Sequence, residues 1–179
     1  MDQDIITQQT RDEHLAAALA DLGRSMARRS ETDEGIEHEW AERAIELAIN
    51  HPDPFLRSKL AQIGSLRQVK ALAEDAHTGV RVSCADNKFI IDESLQMLLA
   101  NDDDAVVVHA LLDAATPYMS VARLLVVSPH RSVRFRLVFQ NLAAELLEVL
   151  ADDSDRRISE VAHQRLVVRK GQVAPRSKS

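Results

Sequence analysis

The chain has 179 residues, 45% of them hydrophobic and only 3% aromatic, which suits an aliphatic core of one domain. The formal charge is −6, and the residues before 165 carry about −11 because the last stretch holds five basic residues and no acid, so nucleic acid is an unfavourable default partner. One cysteine excludes an internal disulfide framework and a thiolate zinc site, the acidic N-terminus does not resemble a secretory signal, and no apolar run approaches the ~18 residues of a membrane span. We therefore expect a protein of the reducing cytoplasm.

Two helices are predicted near the N-terminus, over 12–29 and 34–50. Apolar residues recur there at steps of three and four, which is the spacing of one helical face. Trp40 lies in the apolar face of the second helix, and the prolines that follow Asn50 end that helix. We expect residues 1–50 to cap the array that follows, because a terminal repeat otherwise exposes an apolar face.

The chain then repeats itself five times. Each copy has a polar turn, an aliphatic anchor, and a small or aliphatic residue four positions later, and the first anchors are separated by 24, 26, 27 and 25 residues. The anchor pairs are Leu56 and Leu60, Val80 and Cys84, Val106 and Ala110, Val133 and Leu137, and Ile158 and Ala162. A second aliphatic segment follows in each full copy, so a copy reads as turn, short helix, turn, short helix.

This period predicts an all-α protein, an α-solenoid of short helical repeats over 51–165 with a basic tail over 166–179. Units of about 25 residues are too short for TPR, HEAT or armadillo repeats, and the strand signature of leucine-rich repeats is absent. We expect the anchors to be buried, in particular Leu56, Leu60, Val80, Val106, Val133 and Leu137.

The segments DAHTGVRVSCAD and SPHRSVRFRLVF come closest to the pattern D-x-x-x-V-R-x-x-x-A, and a copy closes on L-x-x-L-A. This pattern resembles the leucine-rich repeat variant family, a bacterial-type, HEAT-like family of short units, over roughly residues 51–165. The resemblance implies a right-handed array that alternates an α-helix with a shorter, often 3₁₀, helix. Val107 departs from the pattern at the arginine position, and the last copy is truncated and shifted by one residue. Some members carry an iron–sulfur cluster, but one cysteine cannot hold it.

No cofactor or metal site is predicted. The segment from His38 to Glu42 lacks the second histidine of a zincin and has no third ligand nearby. His77 and His130 lie two copies apart, so we interpret them as turn residues. The acidic runs 101–104 and 152–155 lack the loop glycine and distal glutamate of an EF-hand, and we interpret them as helix caps.

No catalytic residue is predicted either. Cys84 occupies an anchor position, where packing in the core is the expected role. No serine lies in a G-x-S-x-G context, and no glycine-rich phosphate loop is present. The chain is therefore predicted not to be an enzyme.

Arg57, Arg81 and Arg134 each follow an anchor by one residue, so stacking would align them on one side of the array. They are the candidate partner-binding residues, forming a basic stripe for an acidic ligand. The alternative interpretation, which we favour, pairs each with a neighbouring turn carboxylate, for example among Asp53, Asp75, Asp103 and Asp155.

The favoured function is a non-enzymatic module that binds another protein, in an adaptor, regulatory or immunity-type role. The alternative is a nucleic-acid-binding helical-repeat protein of the DNA glycosylase-like type, which the acidic composition disfavours. An enzyme of a type that the motifs do not reveal would need a deep pocket with clustered carboxylates of shifted pKa.

Overall fold

The computed structural model describes residues 46–87 and 92–173, and within those ranges every regular element is an α-helix. The predicted all-α class is confirmed for this part of the chain. The chain divides into two compact units, the first ending at Thr116 and the second beginning at Pro117. The predicted helix over 12–29, most of the next helix with its His38–Glu42 segment, and the last six residues of the basic tail lie outside the described residues.

The described part of the first unit opens with helical residues 46–49. The helices that follow in this part are α1 (Pro54–Ile63), α2 (Leu66–Leu72), α3 (Thr78–Ala85), α4 (Glu93–Ala100) and α5 (Ala105–Ala114). The packing is between sequential copies, because α3 contacts both α1 and α5, α2 contacts α1 and α3, and α4 contacts α3 and α5. The amide of Asn87, just after α3, donates to the carbonyl oxygen of Ala61 at 2.8 Å and ties this end of α3 to α1.

The second unit, as far as Val173, holds four helices: α6 (Met119–Leu125), α7 (Arg131–Leu137), α8 (Ala144–Ala151) and α9 (Arg156–Val173). Here α7 contacts α6 and α9, and α9 also packs on α8. Because α9 runs to Val173, the predicted junction between array and tail at 165/166 falls inside a helix.

Acidic side chains determine where several helices begin. Asp53, Asp92 and Asp104 each accept a hydrogen bond from a backbone N–H of the first turn, at 2.9, 2.8 and 3.0 Å. Asp155 accepts from the N–H groups of Arg157 and Ile158 at the start of α9. These bonds satisfy N–H groups that have no partner within the helix. The predicted capping role of the runs 101–104 and 152–155 is thus confirmed for one aspartate of each run.

The anchors occupy a constant place relative to these helix starts. In each copy the first anchor is the third residue after the cap position, and the second anchor is four residues later. All ten side chains are at most 5% exposed: Leu56 and Leu60, Val80 and Cys84, Val107 and Leu111, Val133 and Leu137, and Ile158 and Ala162.

The predicted anchor pair of the third copy, Val106 and Ala110, is wrong. Val107 and Leu111 take these places. The side chain of Val106 is 58% exposed, whereas Val107 is completely buried. The reason is that Asp104 caps α5, so the third helical residue is Val107 and the next residue, Val108, takes the arginine position. A run of three valines hides this one-residue difference in register from a pattern of hydrophobic residues alone.

The second helix of each full copy is also a regular α-helix. The resemblance to leucine-rich repeat variants implies 3₁₀ helices here, but α2, α4, α6 and α8 are α-helices of seven or eight residues. No 3₁₀ helix occurs in residues 46–87 or 92–173. An α-helical turn places residues i and i+3 or i+4 on one face, and this is how Leu147 and Leu150 of α8 are both buried.

Candidate functional site

Arg57, Arg81 and Arg134 each form the same two-pronged ion pair with an aspartate of the next turn. Nε lies 2.6 Å from Oδ2 in all three pairs, and Nη2 lies 3.0, 3.1 and 3.2 Å from Oδ1. The pairs are Arg57 with Asp75, Arg81 with Asp102, and Arg134 with Asp153. Such fork-to-fork geometry uses the planar guanidinium group in a way that lysine cannot reproduce.

The third nitrogen of each guanidinium group is also engaged. Nη1 donates to the carbonyl oxygen six residues earlier, at 2.5 Å for His51, 2.8 Å for Asp75 and 2.7 Å for Ser128. Each arginine therefore holds the turn before its own helix by the backbone and the following turn by a carboxylate. We call this arrangement the arginine–aspartate clamp.

The aspartate of each clamp organises its own turn as well. Oδ1 of Asp75, Asp102 and Asp153 accepts the backbone N–H two residues later at 2.8 Å in every case. The aspartate side chains are only 5–7% exposed and the arginine side chains 14–17% exposed. Each clamp thus supplies hydrogen bonds to an ion pair that is mostly removed from water.

These contacts bear on the predicted role of the three arginines as partner-binding residues. All three arginines form ion pairs with turn carboxylates, as the second interpretation of the sequence expects. Two partners differ from the suggested ones, since Asp102 and Asp153 take the places of Asp103 and Asp155. The structure leaves little of each guanidinium group for an acidic ligand, and a binding role for the arginines stays a prediction.

One copy has neither partner of a clamp. Val108 of α5 stands at the arginine position and is buried, and Ser128 stands at the aspartate position two residues before the cap of α7. Arginine therefore occurs only in those copies that are followed by an aspartate at this position. This paired change is a signal in the sequence that identifies the clamp partners once the helix starts are known.

The clamps predict a loss of stability in acid. Burial alone would raise the pKa of Asp75, but the hydrogen bonds from Arg57 and from the His77 N–H outweigh it and lower that pKa. The bond from Arg134 lowers the pKa of Asp153. A carboxyl group with a lowered folded pKa stabilises the fold above its unfolded pKa of about 3.9, and this contribution disappears as pH falls through the folded value. We therefore expect the melting temperature to fall steeply below about pH 4.

The matched variant for this titration is Asp75→Asn with Asp153→Asn. Circular dichroism gives the melting temperature of both proteins at each pH. The variant should be less stable than the unmodified chain at pH 7 and should lose less stability between pH 5 and 2. Parallel curves for the two proteins would contradict a role of these carboxylates in the acid response.

The first unit contains an open groove of about 810 Å³. It is lined by residues 73–75, residues 101–103, Arg81 and several residues of α4. We call it the acidic groove. Its apolar part includes Met97 and Leu98 of α4, of which Leu98 is 37% exposed.

The charge of the acidic groove is strongly one-sided. Among the described residues that line it, Arg81 is the only basic one and five are acidic. Asp75 and Asp102 are held in clamps, while Glu74, Glu93 and Asp103 are exposed carboxylates of its rim. Since the pKa of Asp75 is lowered, this carboxyl group is not adapted to act as a general acid near neutral pH.

Cys84 lies in the core of the first unit, as its anchor position predicts. It is completely buried, and its Sγ lies 3.5 Å from the carbonyl oxygen of Val69. Burial raises the pKa of this thiol to about 12, whereas a nucleophilic cysteine needs a lowered pKa. The side chain therefore serves packing.

His77 and His130 are turn residues, as their places in the copies predict. His77 precedes α3, where its Nδ1 accepts the N–H of Gly79 at 3.2 Å, and His130 occupies the same place before α7. Within residues 46–87 and 92–173, no three histidine, cysteine or acidic side chains are placed to hold a metal ion.

The basic C-terminal stretch includes two arginines with structural contacts. On α9, Arg165 donates through Nη1 to the carbonyl oxygens of Val138 and Gln140, the latter at 2.6 Å. Arg169 donates in the same way to the carbonyl oxygen of Leu142. These bonds satisfy carbonyl groups of the loop between α7 and α8, so both residues take part in the second unit.

Comparisons with protein-family models, with curated proteins and with solved structures found no match. The resemblance to leucine-rich repeat variants accordingly stays a prediction. Over the helices described here, none combines the length and the apolar character that crossing a bilayer requires.

Proposed function

We propose that this chain is a non-enzymatic module that binds another protein, built as an α-solenoid of short repeats of the leucine-rich repeat variant type and working in the cytoplasm. The observation that carries the proposal is the acidic groove, an open concavity of about 810 Å³ with apolar residues beside exposed carboxylates. Grooves of this kind on helical repeats are typical recognition surfaces.

The contacts of the arginines support separate structural and binding roles for different residues of the repeats. Every N–H-bearing nitrogen of the Arg57, Arg81 and Arg134 guanidinium groups donates to a carboxylate or a carbonyl oxygen of a turn. We therefore assign the clamps to the stability of the array and the exposed rim of the acidic groove to binding. The nucleic-acid alternative gains nothing from this surface, because carboxylates repel phosphate.

The test is capture of a protein from the source cells by the immobilised full chain, followed by measurement with both proteins purified. We expect saturable binding that heat-unfolded chain does not reproduce. A gel shift of duplex DNA at low salt is the counter-test. Binding of DNA without any specific protein partner would contradict the proposed class and favour the nucleic-acid alternative.

A further inference from the structure

We propose that the acidic groove binds a basic amphipathic segment of the partner, in which an apolar side chain lies between cationic residues. This inference rests on the proposed protein-binding function and adds the chemistry of the ligand. It follows from the charge of the rim, the apolar part of the groove and the rigidity of the turns beside it.

The charge argument concerns the carboxylates that the clamps do not use. The net charge of the Arg57–Asp75 and Arg81–Asp102 pairs is zero, whereas Glu74 and Asp103 are exposed carboxylates of the rim outside these pairs. Carboxylates of one sign around a concavity raise the local concentration of cationic groups and speed their association. A lysine- or arginine-bearing segment is the complementary ligand.

The apolar part of the groove sets a second requirement. Leu98 is 37% exposed and Met97 is half-buried, and both line the groove. Burial of an apolar side chain against them is favourable, and the flexible thioether of methionine adapts to different shapes. A purely charged ligand would leave this surface in contact with water, so the segment must be amphipathic.

The clamps hold the rim of the groove in place before a ligand arrives. Glu74 precedes Asp75, and Asp103 follows Asp102, so each of these rim carboxylates is next to a clamped residue. A turn fixed by several hydrogen bonds loses little conformational entropy when it binds a ligand. The rim is therefore preorganised.

The experiment measures the binding of labelled probe peptides to the full chain by fluorescence anisotropy. The first probe is a helical peptide with lysines seven positions apart and leucine between them. In one comparison probe the lysines are glutamates, and in another the leucine is serine. We expect the first probe to bind tightest, and its affinity to fall as salt is added. Equal affinity for all three probes would overturn the proposal.

Matched variants of the chain locate the binding. Glu74→Gln with Asp103→Asn should lower the affinity for the first probe by about three- to thirtyfold, which is the effect expected when two exposed ion pairs are lost. Asp152→Asn with Glu148→Gln removes the same charge from exposed positions of the second unit, and should change affinity less than twofold. Similar losses in the two variants would mean a general charge effect and would overturn the site.

A second pair of variants tests the apolar contact. Leu98→Ser should lower the affinity for the lysine–leucine probe but not the affinity for the lysine–serine probe. Val149→Ser changes an exposed residue at the same repeat position of α8, 45% exposed, and should leave both affinities unchanged. Self-association of the chain that the Glu74→Gln, Asp103→Asn variant abolishes would place a second copy in the groove and would overturn the proposal.

The captured partner separates this inference from the broader function. If the variant Glu74→Gln, Asp103→Asn still binds a partner as tightly as the unmodified chain does, the inference is wrong and the protein-binding function stands. If neither protein binds any partner, the function itself is contradicted. Loss of the partner from this variant alone, with the Asp152→Asn, Glu148→Gln control unaffected, supports both.

Discussion

Asp75→Ala should lower the free energy of unfolding by about 3 kcal/mol. The substitution leaves the Arg57 guanidinium group, 14% exposed, without its acid, and it removes the acceptor of the His77 N–H. Removing one partner of a buried ion pair costs about 3–5 kcal/mol, whereas an exposed pair contributes about 0–1 kcal/mol. The clamp lies near the buried case because the aspartate side chain is only 7% exposed. Urea denaturation at pH 7, followed by circular dichroism, gives the value.

Glu74→Ala is the matched control, since it removes an exposed carboxylate one residue away. It should change the free energy of unfolding by no more than about 0.5 kcal/mol. Combining Asp75→Ala with Arg57→Ala should cost less than the sum of the single changes by at least about 1 kcal/mol, because both remove the same pair. If Asp75→Ala costs no more than Glu74→Ala, the clamp does not stabilise the fold.

Val107→Ala should cost about 2 kcal/mol, and Val106→Ala should cost almost nothing. Val107 is completely buried, and trimming it removes two methyl groups from the core and leaves a cavity. Val106 is 58% exposed, and alanine has the higher helix propensity at such a position. Thermal and urea unfolding of the two variants measure the difference.

This pair of variants tests the helix register directly, because the residues are adjacent and chemically identical. Val108→Ala serves as a further control and should resemble Val107→Ala, since Val108 is also completely buried. A larger loss for Val106→Ala than for Val107→Ala would restore the register that the hydrophobic pattern alone predicts.

Much of the fold is predictable from the sequence because anchors four residues apart define a helical face. That spacing correctly indicates the eight anchors outside the α5 copy, Leu56 and Val133 among them. It fails within α5, where three valines in a row satisfy the pattern in more than one register. The capping bond from Asp104 to the Val106 N–H selects one of them.

The site is less predictable, because it depends on contacts between residues far apart in the sequence. Pairing of the arginines with turn carboxylates follows from their types, but the choice of Asp102 over Asp103 depends on which turn residue points toward α3. The acidic groove has no motif at all. It arises where the exposed face of α4 meets two acidic turns, and only the packing of the helices brings these together.

Asp75 belongs to two clamps at once. Its carboxylate accepts a hydrogen bond from Arg57, and its carbonyl oxygen accepts one from Nη1 of Arg81 at 2.8 Å. Loss of one clamp should therefore destabilise the next, because both depend on Asp75. The copies of the first unit are thermodynamically coupled rather than independent. In the language of one-dimensional repeat arrays, the interface term between neighbours includes a polar linkage as well as apolar contact. Fraying at one copy should consequently weaken hydrogen-exchange protection in the next, so that α1 and α3 open together.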